Sequence, residues 1–234
     1  MNPRNAQRAS HDAHGHFDVI AGMDKACQEA LFERCKTRSV PKGKAVWMQG
    51  HPADHLVVIL SGKVMSWHEA ANGKAGAIGF WGPGDIAGLG DMGTTRTRQH
   101  TLRSLETCRL LVLSFEDFDG LVREHSEFAV QAIRALSVRL RWVSQLAVGL
   151  TTASALERVC AVLLALTRHF GLPHRQGVLI DLKLTNEQLA TICGISRQFT
   201  NITLQTLRER GLLIGKPALV LTDVAELERL AASL

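Results

Sequence analysis

The stretch that decides the fold runs from residue 184 to residue 213 and reads LTNEQLATICGISRQFTNITLQTLRERGLL. Thr185 and Gln188 have the spacing of a capping box, in which each side chain bonds the backbone N–H of the other residue. Gly194 follows where a positive φ is cheap only for glycine, and Ser196 is a good cap for a second helix. This order of cap, helix, glycine turn and second cap predicts a helix-turn-helix.

The second helix, residues 197–210, is the part of this motif that would read DNA. Arg197 at its exposed start matches guanine, Gln198 and Asn201 match adenine, and Ile202 can cover a thymine methyl group. For any one of these residues taken alone, the alternative interpretation is a polar side chain that faces solvent on an ordinary helical hairpin. The residues predicted to bind DNA are Thr185, Ser196, Arg197, Gln198, Thr200, Asn201, Ile202, Arg208 and Lys216.

Length and composition fit a soluble two-domain protein. The chain has 234 residues, of which 46% are hydrophobic and 21% charged. No apolar run approaches the roughly 20 residues that span a bilayer, and the polar start lacks a signal-peptide core, so we expect a cytoplasmic protein without a membrane partner. The net charge of +5 is spread over both halves. Its local placement matters more, because phosphate contacts are favoured by the cluster of Arg197, Arg208, Arg210 and Lys216.

Between residues 38 and 114, short apolar runs alternate with glycine turns. Evenly spaced short strands of this kind predict an antiparallel barrel or roll, with corners at glycines 43, 50, 62, 73 and 84. A helix over residues 24–36, with Leu31 and Phe32 as its apolar face, should precede the roll. The predicted strands are Ala45–Gln49, Leu56–Ser61, Lys63–His68, Ala75–Trp81, Thr101–Ser104 and Arg109–Leu113.

One long helix is predicted over residues 126–149, after a short one at 116–124. Along the long helix apolar residues recur at alternating spacings of three and four, which is the seam of a coiled coil. The opposite face is polar, with Arg134 and Arg139 among its residues, so one stripe alone needs cover. A parallel homodimer would cover it, and packing on the helix's own domain is the alternative. The predicted dimer-interface residues are Ile133, Leu136, Leu140, Val143, Ala147 and Leu150.

Two further features complete the C-terminal part. An apolar helix is predicted at Ala155–Phe170, before the helix-turn-helix, and a last helix at 223–230. Between them, Leu212–Ile214 and Leu219–Leu221 flank a Gly-Lys-Pro turn, which indicates a small hairpin that forms a wing. The predicted fold class is therefore α+β, with an N-terminal antiparallel β-roll of the jelly-roll type, a long dimerisation helix and a C-terminal winged helix-turn-helix.

These three parts, in this order, resemble the CRP/FNR family of bacterial transcription regulators. The resemblance covers about residue 17 to the C-terminus and rests on VPKGKAVWMQGHPADHLVVILSGKV at 40–64, WGPGDIAGL at 81–89 and the stretch from residue 185. It implies a homodimer that binds double-stranded DNA at a pseudo-palindromic operator, contacts RNA polymerase and responds to an effector. The expected parts are a flexible arm (1–16), an effector-sensing roll (17–115), a dimerisation helix and hinge (116–151) and a DNA-binding domain (152–234).

The resemblance also implies an effector pocket, which is matched only in part. Members that bind cyclic AMP have Gly-Glu and Arg-Ser in a phosphate-binding loop; here Leu89 replaces the glutamate and Gln99 the serine, whereas Arg98 is kept. A carboxylate is therefore missing, unless Asp91 substitutes for it, and Val143 replaces a threonine on the dimer helix. Each lost hydrogen bond costs about 1–3 kcal/mol, so we expect an effector other than cyclic AMP. The predicted pocket consists of Gly88, Leu89, Arg98, Gln99, Val143 and Ser144.

Other cofactors of the family have weaker signals. The five cysteines are an odd count without a C-x-x-C pair, which argues against disulfides, zinc and iron–sulfur ligation; Cys160 and Cys193 fall on apolar helical faces instead. The FNR type needs an N-terminal cysteine cluster, for which Cys27 and Cys35 are too few. No metal site is predicted. Haem stays open, although each candidate ligand better fits a surface histidine, namely His14, His16, His51 and His100.

The recognition helix departs from the family as well. Many members read Ser-Arg-Glu-Thr-x-x-Arg, where this chain has Gln198, Phe199 and Ile202 in place of the glutamate, the threonine and the second arginine. Phe199 and Ile202 would contact bases, or the helix would be rotated slightly; the residues leave both open. A function of another class is a ligand-binding regulatory subunit whose helix-turn-helix contacts protein. An enzyme is not expected, since no nucleophile–base pair, carboxylate pair or metal cluster stands out.

Overall fold

The computed structural model describes residues 17–93 and 96–231. The chain divides into two compact units between Arg139 and Leu140, inside one long helix. The arm predicted over residues 1–16, with His14 and His16, lies outside the described residues. Within the described ranges no helix is both long and apolar enough to cross a membrane.

The N-terminal unit contains two four-stranded antiparallel sheets, which confirms the predicted roll. Its strands are β1 (Lys36–Val40), β2 (Ala45–Trp47), β3 (His55–Ser61), β4 (Val64–Glu69), β5 (Ala75–Trp81), β6 (Ile86–Ala87), β7 (Thr101–Ser104) and β8 (Cys108–Ser114). One sheet has the order β1-β8-β3-β6 and the other β2-β7-β4-β5. The five predicted corner glycines all have φ between 78 and 86°, which only glycine adopts without strain.

Strands β3 and β8 are buried on both faces, which explains their continuous apolar runs. Val57 and Ile59 point into a core that also takes residues of β2, β4 and β7, and so lies between the two sheets. The alternate residues Leu56 and Val58 pack against the N-terminal segment and three helices. Because successive side chains of a strand point to opposite faces, both sets must be apolar here.

Two short helices cover the outer face of the β3–β8 sheet: α1 (Lys25–Arg34) and α2 (Phe115–Glu124). The prediction that Leu31 and Phe32 form the apolar face of α1 was wrong for Phe32, which is exposed, whereas Leu31 and Cys27 are buried. Adjacent residues of a helix point about 100° apart, and the pair that shares one face is i and i+4.

The sequence did not predict β1 or β6. β1 reads KTRSV, and its first four residues are exposed at the edge of the sheet, so it has no apolar alternation. Charged edge strands of this kind resist pairing with other chains. β6 has two residues and is held by pairing to β3 rather than by its own pattern.

The long helix α3 runs from Ser126 to Thr152, three residues beyond the predicted end. Its first turns are anchored in the N-terminal core by Phe128 and Ala132. Further along, the apolar seam faces away from the core of the chain. All six residues of the predicted dimer seam, namely Ile133, Leu136, Leu140, Val143, Ala147 and Leu150, are exposed.

The C-terminal unit has the predicted winged helix-turn-helix and one hairpin that the sequence did not predict. Its elements are α4 (Ala155–Phe170), β9 (Gly171–His174), β10 (Gly177–Ile180), α5 (Asn186–Cys193), α6 (Arg197–Glu209), β11 (Leu213–Ile214), β12 (Leu219–Leu221) and α7 (Val224–Ala231). The sheet order is β11-β12-β10-β9, so the wing strands pair with the extra hairpin. Cys160 and Cys193 are buried as expected, and burial raises the pKa of these thiols to about 11 and about 12.

Gly194 holds the turn between α5 and α6 in a left-handed conformation, with φ 63°. A methyl group at this position would overlap the side chain of Leu150. Gly211 has a similar φ of 71°, but a methyl group there would meet nothing within 4 Å. A substitution at Gly211 therefore adds backbone strain alone, whereas the same substitution at Gly194 adds both backbone strain and steric overlap.

We expect Gly211→Ala to lower the free energy of unfolding by roughly 1–2 kcal/mol through the left-handed backbone alone. Gly194→Ala should cost more, because it adds the overlap with Leu150. Urea unfolding of the two variants measures the difference. Equal losses would contradict the packing of Leu150 on this turn, and adding Leu150→Ala should reduce the cost of Gly194→Ala only.

Candidate nucleic-acid interface and effector pocket

The helix-turn-helix is fixed by the caps that the sequence indicated. The Thr185 hydroxyl accepts from the Gln188 backbone N–H at 3.1 Å, and the Gln188 amide oxygen accepts from the Thr185 N–H at 2.9 Å. The Ser196 hydroxyl accepts from the Phe199 N–H at 3.1 Å. Each bond satisfies a helix-end donor that would otherwise lack a partner, so both helices begin where predicted.

The start of α6 presents a mixed polar and apolar surface. Arg197 and Gln198 are exposed, and Phe199 and Ile202 are 50% and 54% exposed. Residues 199 and 202 are i and i+3, so they lie side by side on one face of the helix. Two large apolar groups on a free surface indicate a face that meets a partner.

Thr200 has to be removed from the residues predicted to bind DNA. Its side chain is 0% exposed, and its hydroxyl donates to the Ser196 carbonyl at 3.0 Å. Together with Thr203 and Leu204 it forms the buried face of α6. The sequence prediction failed here because Thr200 lies between residues that are exposed on either side of it.

Asn201 is exposed, but its amide is already bonded within the protein. The Asn186 side-chain N–H donates to the Asn201 side-chain oxygen. Paired reading of adenine uses both the oxygen and the nitrogen of an asparagine amide. With this bond in place, one of the two acceptor positions of the Asn201 oxygen is occupied.

Cationic side chains line a groove beside α6. Arg208 and Lys216 line it together with Asn186, Asn201 and Ile202, which places the wing residue Lys216 next to the recognition helix. Arg210, expected in the same cluster, is not among the lining residues and lies close enough to Cys160 to affect the pKa of its thiol. Of the four cations in the predicted phosphate-binding cluster, Arg208 and Lys216 line this groove, together with Glu209, whereas Arg197 and Arg210 do not.

The predicted effector pocket of the roll is organised around a buried ion pair. Arg98 is 1% exposed and Asp91 8%, and Arg98 Nη1 lies 3.1 Å from Asp91 Oδ2. The guanidinium also donates to the His55 carbonyl and stacks on Trp47, with its carbon 3.9 Å from the ring centroid. Burial lowers the pKa of Arg98, and the bond to Asp91 acts in the opposite direction. Arg98 is thus engaged inside the protein and is not an open phosphate ligand.

The structure also shows what the other predicted pocket residues do. A Cβ at Gly88 would lie 3.3 Å from Arg98 Nη1, so Gly88 allows the close approach of the guanidinium. Leu89 packs on the core, and Gln99 is exposed, with its side chain donating to the Thr97 carbonyl at 3.1 Å. The carboxylate of Asp91, which could substitute for the missing glutamate, is paired with the protein's own Arg98.

Arg139 packs against strand β5 of the roll, whereas the sequence analysis placed it on the solvent face of the long helix. Its guanidinium carbon lies 4.0 Å from the centroid of the Trp81 ring, and Nη2 donates to the Ile78 carbonyl at 3.3 Å. A methyl group at Gly79 would overlap it. Burial lowers the pKa of Arg139 to about 10. A glycine inside a strand often marks a close approach, so Gly79 was the available signal.

Comparison with known proteins supports both the roll and the helix-turn-helix. Residues 37–125 match the model of the cyclic nucleotide-binding domain, and residues 157–230 match that of the Crp-like helix-turn-helix domain. The chain is 26% identical to the CRP-like cAMP-activated global transcriptional regulator of Mycobacterium tuberculosis, over 91% of this chain and 94% of that protein. It is 28% identical to the cyclic AMP receptor protein of Thermus thermophilus, over 93% and 97% of the two chains. This chain belongs to the CRP/FNR family of transcription regulators.

Solved structures show the same fold. FixK2 from Bradyrhizobium japonicum superposes with a TM-score of 0.73 at 19% identity, covering 84% of this chain and 96% of that one. The CRP/FNR assignment confirms the predicted α+β class, with its roll, long helix and winged helix-turn-helix. Val143 and Ser144, which the resemblance assigned to the effector pocket, belong to the C-terminal unit, and their contact with an effector stays a prediction.

The structure also places the cysteines and histidines that were considered as metal or haem ligands in this CRP/FNR chain. Among residues 17–93 and 96–231, no group of three or more histidine, cysteine or acidic side chains could hold a metal ion. Burial raises the pKa of Cys27 to about 11 and of Cys35 to about 12, so both thiols stay protonated at neutral pH. His51 is exposed, whereas His100 is half-buried against His68, with ring centroids 5.4 Å apart. The expectation of a surface position is thus wrong for His100.

Replacing Asp91 by asparagine should destabilise the roll, because the buried Arg98 would keep only the more distant carboxylate of Asp54, at 4.0 Å, as a counter-charge. Breaking a buried pair typically costs about 3–5 kcal/mol. Urea unfolding monitored by tryptophan fluorescence reports on the roll through Trp47. Asp119→Asn, at an exposed carboxylate, is the matched control and should change stability by less than about 0.5 kcal/mol. A loss no larger than that control's would contradict the structural role of the pair.

Proposed function

We propose that the chain acts as a homodimer on a two-fold DNA operator and that its roll controls this binding. The observation that carries the dimer is the exposed apolar seam of α3. Its residues repeat with the three-and-four spacing of a coiled coil, and two parallel copies bury each other's seam. The relative from Mycobacterium tuberculosis is a global transcriptional regulator by name, which supports DNA as the partner.

In this proposal α6 enters the major groove with Arg197 and Gln198 foremost. Neither side chain is buried, and no carboxylate of the described residues forms an ion pair with Arg197. Phe199 and Ile202 would then cover thymine methyl groups, while Arg208 and Lys216 hold the backbone. Contact with RNA polymerase is a further part of the proposal and rests on family membership.

The exposed pair Phe199 and Ile202 also favours a second candidate, in which the helix-turn-helix contacts a protein. Apolar surface of this size suits a protein interface as well as it suits thymine methyls. The two candidates differ in salt dependence, because DNA binding releases counterions and weakens steeply as salt rises. A protein contact through these two residues would show no comparable affinity for DNA.

We expect Arg197→Ala to weaken specific DNA binding by about 1–3 kcal/mol and to relax the preference at one base position. The measurement is a binding titration on a selected site and on variants of that site. Arg123→Ala, at an exposed arginine of α2, is the control and should leave affinity unchanged. Unchanged sequence preference in Arg197→Ala would contradict its role in reading a base.

We also propose that the effector of the roll is not cyclic AMP, although two relatives are named for that ligand. The guanidinium that should meet the phosphate is paired with Asp91 and stacked on Trp47. A phosphate would have to displace the carboxylate, which would then be buried next to a second negative charge.

Calorimetric titration of the purified chain with cyclic AMP should therefore show no saturable heat at micromolar ligand. The physical reason is that the guanidinium of Arg98 is already paired with the Asp91 carboxylate. Asp91→Ala, if it folds, removes the competing carboxylate and should bind more tightly than the unmodified chain. Saturation of the unmodified chain at micromolar cyclic AMP would overturn this part of the proposal.

A further inference from the structure

A cavity of about 510 Å³ lies within the C-terminal unit, apart from the pocket of the roll. The last turns of α3 form one wall through Trp142 and Leu146, and α4 forms another through Ala161 and Ala165. The end of α5 closes part of it with Ile192. The volume falls in the range of small-molecule sites, which is about 300–1,000 Å³.

The cavity wall on α3 is a different face from the dimer seam. At about 100° per residue, Trp142 and Leu146 point roughly 60–140° away from the directions of Val143 and Ala147. Only Leu150 borders both. Pairing of two chains along the seam therefore leaves most of the lining uncovered.

The walls are apolar, but the cavity carries positive charge that is only partly balanced. Arg141, Arg158 and Arg168 line it together with one acidic residue, Glu228. Glu228 pairs with Arg168 at 3.3 Å. In the part of the chain that the structure describes, neither Arg141 nor Arg158 forms an ion pair with a carboxylate.

Two buried donors at the same place lack a hydrogen-bond partner among the described residues. They are Nε1 of Trp142 and Nε of Arg158. Buried polar groups are almost always bonded in native proteins, so two orphans at one cavity call for an acceptor. Small shifts of either side chain would bring these N–H groups to an acceptor in the cavity.

We propose that this cavity binds a small amphiphilic anion, namely a carboxylic acid with an apolar body of roughly ten carbons. The apolar walls bury the body, and the arginine forks of Arg141 and Arg158 take the carboxylate, for which their planar geometry is suited. The anion also supplies the acceptor that the orphan donors need.

The cavity adjoins the turn between α5 and α6 of the helix-turn-helix. Ile192 and Cys193 line the cavity and directly precede Gly194, the turn on which Leu150 packs. A ligand here would bear on α5 and on the turn that aims α6. That regulatory effect rests on the proposed DNA binding, whereas occupation of the cavity does not.

The test is calorimetric titration of the full chain with submicellar decanoate and, separately, with decanol. We expect saturable binding of one decanoate per chain and binding of decanol at least tenfold weaker. Arg158→Gln should weaken decanoate about tenfold, the usual effect of losing a charge-assisted bond, and leave decanol unchanged. Ala165→Phe fills the cavity and should abolish both. Arg134→Gln, at an exposed arginine of α3 outside the cavity, is the matched control.

Absence of saturable decanoate binding would overturn the inference, and so would binding that neither Arg158→Gln nor Ala165→Phe weakens. Equal binding of decanol and decanoate would overturn the assignment to an anion. Thermal unfolding checks that each variant folds. If Ala165→Phe does not fold, the comparison of Arg158→Gln with the unmodified chain still tests the inference. A chain that binds decanoate but no DNA contradicts only the proposed function, and one that binds DNA but no decanoate contradicts only this inference.

Discussion

Six apolar side chains in one exposed stripe of α3 are the constraint on which the proposed action depends. A single chain leaves this stripe in water, and each buried Å² of apolar surface is worth about 25 cal/mol, so the proposed pairing of two helices would be favourable. Parallel pairing would also set the separation of two α6 helices, because each follows the end of its own α3 by a short path through α4 and α5. Control of DNA binding then reduces to any event that biases how the two helices pair.

In the roll, the Asp91 carboxylate neutralises Arg98 at the place where the family resemblance predicts a phosphate-binding loop. With Asp91 on Arg98 and Arg139 set on Trp81, both arginines of this region are held by groups of the protein. A ligand of the roll therefore has to compete with internal partners rather than fill an open charged site. Because a buried pair is strongly coupled to its surroundings, displacing it would affect packing as well as charge. This gives a physical reason for the proposal that the roll takes a ligand other than cyclic AMP.

Much of this architecture could be predicted because it depends on local rules. Residues close together in sequence determine the caps at Thr185 and Ser196, the positive φ of the corner glycines and the period of the α3 seam. Both ends of helix α4 were predicted to the residue. What failed depends on distant contacts. β1 is a strand because β8 pairs with it, Arg139 is buried because Trp81 and Gly79 receive it, and Thr200 is buried because its face of α6 packs on α4 and α5. None of these partners is near in sequence, so pattern alone could not identify them.

The central claim is that two chains present two α6 helices to DNA at a spacing set by α3. The most direct test is to select bound DNA from a random pool. The account predicts enrichment of sequences with two-fold related half-sites whose centres lie about one helical turn, ~34 Å, apart. It also predicts that a charge placed in the seam, as in Leu140→Asp, removes the symmetric pair from the selected sequences. Enrichment of a single unpaired site by the unmodified chain, or of no sequence at all, would contradict the account.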